Sequence, residues 1–287
     1  MSNTRRSITL LGRFRAPVAC ATLLAAALGV GAAAVGAQEQ IYDPTKIPSL
    51  EGTWDGTPRA RPVNSETVPW GKDNFPVLNE RAKAYQKKFF LILNHEPEDD
   101  VRPRAGSGMT AKDFSASFRH VIQRLRAKGV TNVVSVVAYM GNEKWMAQSW
   151  WKDLYPGDDV VDWIGLDSYV SAEQNYYHHG LFADLVDRRA PGGDGFYDWA
   201  TRNHKGKPMM LAEWGVYHRV GRVVDKSAQF DSVLPTLAQR PAIKAIVYFD
   251  TKKDAFGDRD ISINSSARSL ASFKKLAANP VFNVQLH

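Results

Sequence analysis

Residues 89–96 read FFLILNHE, five apolar residues in a row followed by three polar ones. A second run of this kind, PMMLAEW at residues 208–214, also closes around a glutamate. Three further apolar runs lie at residues 133–140, 161–169 and 242–250. Because the runs show no regular polar alternation, they predict five strands that are buried on both faces of a parallel sheet.

Helical segments are predicted between these strands. The clearest lies at residues 110–128, where Thr110 and Asp113 form a capping-box-like start and Gly129 follows the end. Further helices are predicted at residues 181–189, 226–240 and 267–278, with a short helix or turn at 150–157. Apolar strands that alternate with amphipathic helices predict an α/β fold and exclude a β-sandwich or an all-helical fold.

Polar residues at the strand ends favour a barrel over a doubly wound sheet. They close or follow four of the five predicted strands, and they are Asn94, His95 and Glu96; Asp167 and Tyr169; Glu213 and Trp214; and Tyr248 and Asp250. In a TIM barrel the carboxyl ends of all strands meet at one mouth. No glycine-rich phosphate fingerprint follows a strand, which disfavours dinucleotide binding. The sequence therefore predicts a fold of the (β/α)8 TIM-barrel type.

The predicted barrel is incomplete. A closed barrel has eight strands, whereas the runs from residue 89 onward predict five. Residues 38–88 are too few for three more βα units of roughly 30 residues each. We therefore expect one to three N-terminal βα units to be missing, through an internal loss. An open sheet leaves strand edges unpaired, so self-association through these edges is expected.

The N-terminal segment is predicted to direct export. Residues 1–37 combine four arginines with an alanine-rich apolar stretch and a small-residue cleavage site after Ala37. A membrane anchor is the alternative, but the stretch is weakly apolar and no second one follows. The predicted organisation is a signal peptide at residues 1–37, a Pro/Gly-rich extended segment at 38–75 and a barrel domain at 76–287. We expect a secreted or periplasmic protein without membrane association after cleavage.

Charge and cysteine content narrow the class of partner. The formal charge is +7, but residues 1–37 hold four of the 37 basic residues and none of the 30 acidic ones, so their removal leaves +3. No basic cluster interleaved with aromatic residues is present, and no nucleic-acid partner is expected. The single cysteine, Cys20, lies in the predicted signal peptide, which leaves no disulfide and no thiol ligand.

Two glutamates, Glu96 and Glu213, close apolar strands and are expected at the same mouth. An ionised carboxylate at such a position must be paired or protonated. Retaining glycoside hydrolysis requires two carboxyl groups about 5 to 5.5 Å apart, one as nucleophile and one as acid and base. The alternative is that each glutamate only forms a salt bridge at the rim of the barrel.

Five longer stretches carry a family resemblance. They are NHEPE at residues 94–98, NVVSVVAYMG at 132–141, DLYPGDDVVDWIGLDSY at 153–169, KPMMLAEWGVY at 207–217 and DRDISINSSARSLASF at 258–273. Together they resemble glycoside hydrolase family 26, which includes β-mannanases and related β-glucanases and β-xylanases. The resemblance implies a (β/α)8 barrel that retains anomeric configuration, with the acid/base at Glu96 and the nucleophile at Glu213. It also implies a polysaccharide or oligosaccharide substrate.

Several neighbouring residues are predicted to bind substrate. His95 would hydrogen-bond the sugar or orient Glu96, and Tyr169 would hydrogen-bond the nucleophile; for each, a purely structural role is the alternative. Trp214 would either stack on a sugar or pack in the core. The remaining candidates are Asn94 and Asp250, with Trp145, Trp150 and Trp151 as weaker ones.

No metal or other cofactor is predicted. Glu98, Asp99 and Asp100 are interpreted as a solvated acidic loop edge, because their spacing does not match calcium ligands. His178 and His179 have no carboxylate at metal-ligand spacing.

One departure from the family pattern opens a second hypothesis. Residues 97–100, PEDD, replace the aromatic residues expected after the His-Glu pair. The alternative function is therefore a catalytically weak or inactive relative that binds polysaccharide. A sugar-phosphate or nucleotide enzyme would need a phosphate site after the last strands, and residues 250–253 offer charge without a glycine-rich turn.

Overall fold

The computed structural model describes residues 82–282. The predicted signal peptide and extended segment lie outside the described residues. Five parallel strands follow in chain order: β1 (Phe89–Ile92), β2 (Val133–Tyr139), β3 (Trp163–Ser171), β4 (Met209–Arg219) and β5 (Ile243–Tyr248). Their order in the sheet is also β1-β2-β3-β4-β5, and a two-residue strand, β6 (Arg259–Asp260), pairs antiparallel with the end of β4.

After a helical stretch at residues 82–85, seven α-helices accompany the strands within the described residues. They are α1 (Ala111–Ala127), α2 (Glu143–Met146), α3 (Phe182–Val186), α4 (Phe196–Asn203), α5 (Ser227–Asp231), α6 (Val233–Ala238) and α7 (Ala267–Ala277). Short 3-10 segments lie at Pro97–Asp100, Trp151–Leu154 and Pro280–Phe282. None of the helices in this part of the chain is long and apolar enough to span a bilayer.

The two faces of the sheet are covered differently. On one face, strand residues such as Leu211 pack with helix residues such as Phe118, Phe182 and Phe273 in one large core. On the other face, a small cluster contains strand residues only: Val136, Ala138, Met210, Ala212 and Ala245, bordered by Phe90, Ile92, Trp163 and Val247. We call these the helix-covered face and the inner face.

The order of the strands and the placement of the helices confirm the predicted fold. A doubly wound sheet reverses its strand order and carries helices on both faces, whereas a (β/α) barrel adds strands in chain order and places the helices outside. Five parallel strands lie within residues 82–282, where a closed barrel has eight. The architecture is therefore that of an incomplete (β/α) barrel.

Helix α1 forms as its capping signals predict. The Thr110 side chain accepts a hydrogen bond from the backbone N–H of Asp113, and the Asp113 carboxylate accepts one from the backbone N–H of Thr110. Gly129 follows with φ 75°, a left-handed conformation that glycine adopts without strain. Both ends of the helix thus lie within a residue of their predicted positions.

Several elements differ from the prediction. The helix predicted over residues 226–240 is split at Ser232 into α5 and α6, because Pro235 is tolerated in the first turn of a helix but not in its interior. Helix α4 was not predicted at all. Strand β4 continues to Arg219, five residues beyond its predicted end, where β6 pairs with it.

Candidate active site

Strand β1 ends earlier than predicted, and the residues after it turn sharply. The strand stops at Ile92, and both Asn94 (φ 49°) and Glu96 (φ 53°) adopt left-handed backbone conformations. The backbone N–H of Glu96 donates to the carbonyl of Ala138 at 3.0 Å, which fixes this turn against the end of β2. His95 and Glu96 are therefore held beyond the strand by a constrained loop rather than by the sheet itself.

A β-bulge in β4 brings Glu213 to the inner face. Leu166 pairs with Leu211, but the next residue of β3, Asp167, pairs with Glu213, so β4 contains one extra residue here. The pairing of β4 with β5 is also irregular between Leu211 and Trp214. An extra residue reverses the alternation of side chains beyond it, and Glu213 thereby joins Asp167 on the inner face.

Three side chains from three elements converge at this mouth. One ligand-type atom each from His95, Asp167 and Glu213 lie within 4.8 Å of one another, the one such group of three His, Cys, Asp or Glu residues within residues 82–282. They come from the turn after β1, from β3 and from β4. All three residues were predicted at strand ends, but the sequence indicated no role for Asp167.

Tyr169 holds Glu213 by a short hydrogen bond. The phenol oxygen of Tyr169 donates to Oε2 of Glu213 at 2.6 Å. Burial, together with the negative charge of Glu213, raises the pKa of the Tyr169 phenol well above its usual value. The phenol therefore remains a neutral donor at every physiological pH, and it fixes one carboxylate oxygen of Glu213.

Asp167 is buried without a hydrogen-bond partner. Its side chain is 1% exposed, and neither carboxyl oxygen makes a hydrogen bond of normal geometry within the described part of the chain. Burial raises its pKa well above the usual range, and the charges of Glu213, Glu96 and Glu98 raise it further. Asp167 is thus favoured in its protonated form, next to the carboxylate of Glu213.

Glu98 is not part of a solvated loop edge, and that prediction is wrong for this residue. Its side chain is fully buried and accepts hydrogen bonds from the backbone N–H groups of Met140 (3.1 Å) and Gly141 (3.3 Å). The indole N–H of Trp151 donates to it at 3.2 Å. Burial still raises the pKa of Glu98 despite these donors. Glu98 and Trp151 form the packed floor of the loop after β1.

Trp214 packs in the core, and its prediction as a sugar platform is wrong. The indole is 1% exposed and lies edge-on to Phe182, with ring centroids 4.9 Å apart, and to Tyr248 at 4.8 Å. The physical reason is the bulge before Glu213, which turns Trp214 to the helix-covered face. The packing alternative is the one that the structure supports.

Asn94 and Asp250 each have a partner within the chain. The side-chain amide of Asn94 donates to Asp100 at 3.1 Å, so Asp100 is tied to the turn after β1. The carboxylate of Asp250 accepts from the backbone N–H of Ile263 at 3.0 Å. Both side chains are half-buried near the strand ends, and their predicted contact with substrate stays a prediction.

A second polar group lies beyond the ends of β2 and β3. Nε2 of His178 lies 2.9 Å from Glu143, and Arg188 donates to the carbonyl of Tyr169 at 2.6 Å. His178 therefore has a carboxylate partner that the sequence spacing did not reveal, because Glu143 lies 35 residues away. The Arg188 contact links this group to the backbone of Tyr169.

The fold and the mouth define the protein first as an incomplete (β/α) barrel with carboxyl groups gathered at its strand ends. The family model described as Glycosyl hydrolase family 26 matches residues 105–192. This match confirms the resemblance to glycoside hydrolase family 26. The matched residues include β2 and β3, with Asp167 and Tyr169, whereas Glu96 and Glu213 lie on either side of them.

Similar proteins are much longer than this chain. The β-1,3-xylanase TXYA of a Vibrio species is 36% identical over 111 residues, covering 37% of this chain and 20% of that protein. Endoglucanase H of Acetivibrio thermocellus is 26% identical over 234 residues, covering 72% of this chain and 23% of that protein. The chain thus spans about a fifth of the length of these curated relatives.

Solved structures also resemble the chain. A modular endo-β-1,4-mannanase from Cellulomonas fimi has 20% sequence identity and a TM-score of 0.49, covering 76% of this chain and 49% of that one.

Proposed function

We propose that the protein is an exported glycoside hydrolase that cleaves β-glycosidic bonds within a mannan or a related hemicellulose or β-glucan, with retention of anomeric configuration. The observation that carries this proposal is the inner-face arrangement in which Tyr169 holds Glu213 at 2.6 Å, next to the buried Asp167. The two relatives, a β-1,3-xylanase and an endoglucanase, support polysaccharide as the class of substrate.

In the proposed reaction, Glu213 is the nucleophile. Tyr169 occupies one oxygen of its carboxylate, so the other oxygen attacks the anomeric carbon and forms a glycosyl-enzyme intermediate. Asp167 in its protonated form limits the repulsion that a second buried negative charge would create beside Glu213.

Glu96 is the proposed acid and base. It donates a proton to the departing glycosidic oxygen, and it then removes a proton from the water that hydrolyses the intermediate. This role requires its carboxyl group about 5 to 5.5 Å from that of Glu213. His95, which precedes Glu96 in the same constrained turn, would orient Glu96 or hydrogen-bond the sugar. Asn94 and Asp250 are proposed as further polar contacts at the rim.

A polysaccharide-binding relative without useful catalysis is the second candidate function. The observation that favours it is the loop after Glu96, where Pro97 and the buried Glu98 stand in place of the aromatic residues of the family pattern. A sugar bound there would lack a stacking surface in this loop. Such a protein would keep the polar mouth but release no product.

The deciding experiment is a substrate panel with the purified protein lacking residues 1–37. Mannan, glucomannan, lichenan and xylan would be tested for release of reducing ends, and proton NMR would follow the first anomer of the product. Release of the β-anomer from at least one polysaccharide supports the proposed function. Binding in affinity electrophoresis without release from any of the four would favour the second candidate, and initial release of the α-anomer would contradict retention.

We also propose that the protein self-associates through its sheet edges. Within the described residues, β1 hydrogen-bonds only to β2, and β5 hydrogen-bonds only to β4. An unpaired edge offers a row of backbone donors and acceptors to another chain. Light scattering after size exclusion should give a mass above that of a single chain, which is 32.0 kDa at full length, and the mass should increase with concentration. Strictly monomeric behaviour across the accessible concentration range would contradict the proposal.

A further inference from the structure

The geometry points to a metal site that neither the sequence nor the family match assigns. We propose that His95, Asp167 and Glu213 bind a divalent ion of the zinc type, and that the bound ion blocks the glycosyl chemistry of Glu213. The inhibitory part of this inference rests on the proposed function, whereas metal binding itself does not.

The ligand geometry requires only small movements. Zinc lies about 2.0 to 2.2 Å from histidine nitrogen and carboxylate oxygen in a tetrahedral site, so its ligand atoms are roughly 3.3 Å apart. The corresponding atoms of His95, Asp167 and Glu213 already lie within 4.8 Å of one another. Since His95 and Glu213 are only half-buried, rotation of their side chains can shorten these distances. Three protein ligands would leave a fourth position for water.

The buried carboxyl group of Asp167 is the observation that points to a bound ion. Its carboxyl group is 1% exposed and lacks a hydrogen-bond partner within residues 82–282, although it lies next to His95 and Glu213. Buried polar groups are normally satisfied, and an unsatisfied one calls for an explanation such as an ion. A divalent cation would satisfy Asp167 and balance the two carboxylate charges at once.

The surrounding charge favours a cation. Glu96 and Glu98 contribute negative charge near Asp167 in addition to that of Glu213. Tyr169 contributes a neutral hydroxyl that donates to Glu213. An ion with two positive charges would offset the negative charge that these carboxyl groups gather at the mouth.

The donor set selects zinc-like ions over calcium or magnesium. Calcium takes six to eight oxygen ligands, and magnesium requires octahedral oxygen ligands. One imidazole and two carboxylates suit zinc, copper or nickel instead. Zn²⁺ is therefore the probe. Ca²⁺ and Mg²⁺ serve as comparison ions, which should not compete with Zn²⁺ for the site.

The consequence for catalysis follows from the shared residue. Glu213 cannot attack an anomeric carbon while its oxygen is coordinated to a metal ion, and Tyr169 already occupies its other oxygen. Zinc should therefore inhibit hydrolysis reversibly, with activity restored by EDTA. Competition between zinc and substrate would raise KM rather than lower kcat at low zinc concentration.

The test is titration calorimetry with zinc chloride, using the full chain without residues 1–37 and without a histidine tag. One ion should bind per chain, and Asp167→Asn and His95→Ala should each weaken binding by about tenfold or more, since even outer-shell substitutions cost 10- to 100-fold. His178→Ala is the matched control, because it removes a histidine that hydrogen-bonds Glu143 outside this group. This control should bind zinc as the unsubstituted protein does.

The outcomes distinguish the proposed metal site from the proposed glycoside hydrolase function. Absence of saturable zinc binding, or equal weakening in His178→Ala, would overturn the metal site. Cobalt absorption bands that disappear in His95→Ala would support it independently, and this half-exposed position should not disturb folding. Zinc binding in a protein that hydrolyses no polysaccharide would support the metal site and contradict the proposed function. Hydrolysis without zinc binding would do the reverse.

Discussion

Glu213 and Trp214 are adjacent in the chain, yet they belong to two different regions of the molecule. Glu213 lies on the inner face with Tyr169 and Asp167, and Trp214 lies on the helix-covered face between Phe182 and Tyr248. The bulge in β4 causes this division. The difference teaches that one face of the sheet carries the polar groups of the mouth, while the other provides the apolar packing that holds it in place.

The largest expected effect is a loss of hydrolysis when Glu213 on the inner face is substituted. Glu213→Ala should lower polysaccharide hydrolysis on the order of 10⁴-fold or more, because it removes the proposed nucleophile. It should leave the free energy of unfolding nearly unchanged, since the half-buried Glu213 side chain contributes little to packing. Sodium azide should partly restore turnover of an activated aryl glycoside by attacking from the vacated space. Loss of activity without azide rescue would count against the nucleophile assignment.

Glu96→Ala should have the next largest effect, and it should depend on the leaving group. General acid assistance is worth about 10² to 10⁴ in rate and matters most for poor leaving groups. Turnover of the polysaccharide should therefore decrease far more than the glycosylation step with an acidic aryl glycoside, and the alkaline side of the pH profile should flatten. Equal losses on both substrates would show that Glu96 maintains the structure of the mouth instead.

Trp214→Ala should act on stability rather than on chemistry. Truncation of a fully buried tryptophan costs about 3 to 5 kcal/mol, since it removes burial and leaves a cavity. Urea titration followed by circular dichroism would measure the change, with Trp214→Phe as a milder control. A loss of unfolding free energy below about 1 kcal/mol, together with a large increase in KM, would contradict this distinction between the two faces. It would show instead that Trp214 binds sugar.

The smallest effect concerns the pH dependence of stability at Glu98. Burial raises the pKa of this carboxyl in the folded state, so folded protein binds its proton more tightly than unfolded protein does. The contribution of Glu98 to stability is present below the unfolded pKa, near 4.5, and is lost as pH rises through the folded value. Each unit of difference corresponds to about 1.4 kcal/mol.

Glu98→Gln should remove that dependence. Unfolding in urea between pH 4 and pH 7 should show the unsubstituted protein losing stability relative to Glu98→Gln as pH rises. Asp167→Asn tests the corresponding group at the mouth, where burial raises the pKa and the charges of Glu213, Glu96 and Glu98 raise it further. A stability difference that is constant with pH would show that Glu98 has the same pKa in both states.

The strands and the first helix could be predicted because their signals are local. Apolar runs without alternation mark β1 to β5, and the Thr110 capping box marks the start of α1. Polar residues at successive strand ends predicted the barrel topology. That topology places Glu213 and Tyr169 at the same mouth. The strand and helix signals depend on residue type within a window of a few positions.

The environment of each carboxyl group could not be predicted in the same way. Glu98 is buried because donors 42 to 53 residues further along the chain, at Met140, Gly141 and Trp151, reach its oxygens. The bulge before Glu213 is visible in the pairing of β4 with its two neighbouring strands and not in the sequence of β4 itself. Regular alternation from Met209 would have placed Glu213 outward and Trp214 inward. Long-range pairing therefore decides what local sequence leaves open.

The strictly sequential order of the strands determines where the sheet could be extended. Each strand from β2 to β4 hydrogen-bonds to the strands just before and just after it in the chain. A βα unit encoded upstream of β1 would add to the β1 edge without disturbing any of these pairings. Residues 82–282 therefore contain Glu96, Tyr169 and Glu213 in one uninterrupted series of neighbouring strands. Extension of the sheet at its β1 edge would leave unchanged the pairing of β3 with β4 that brings Tyr169 and Glu213 together.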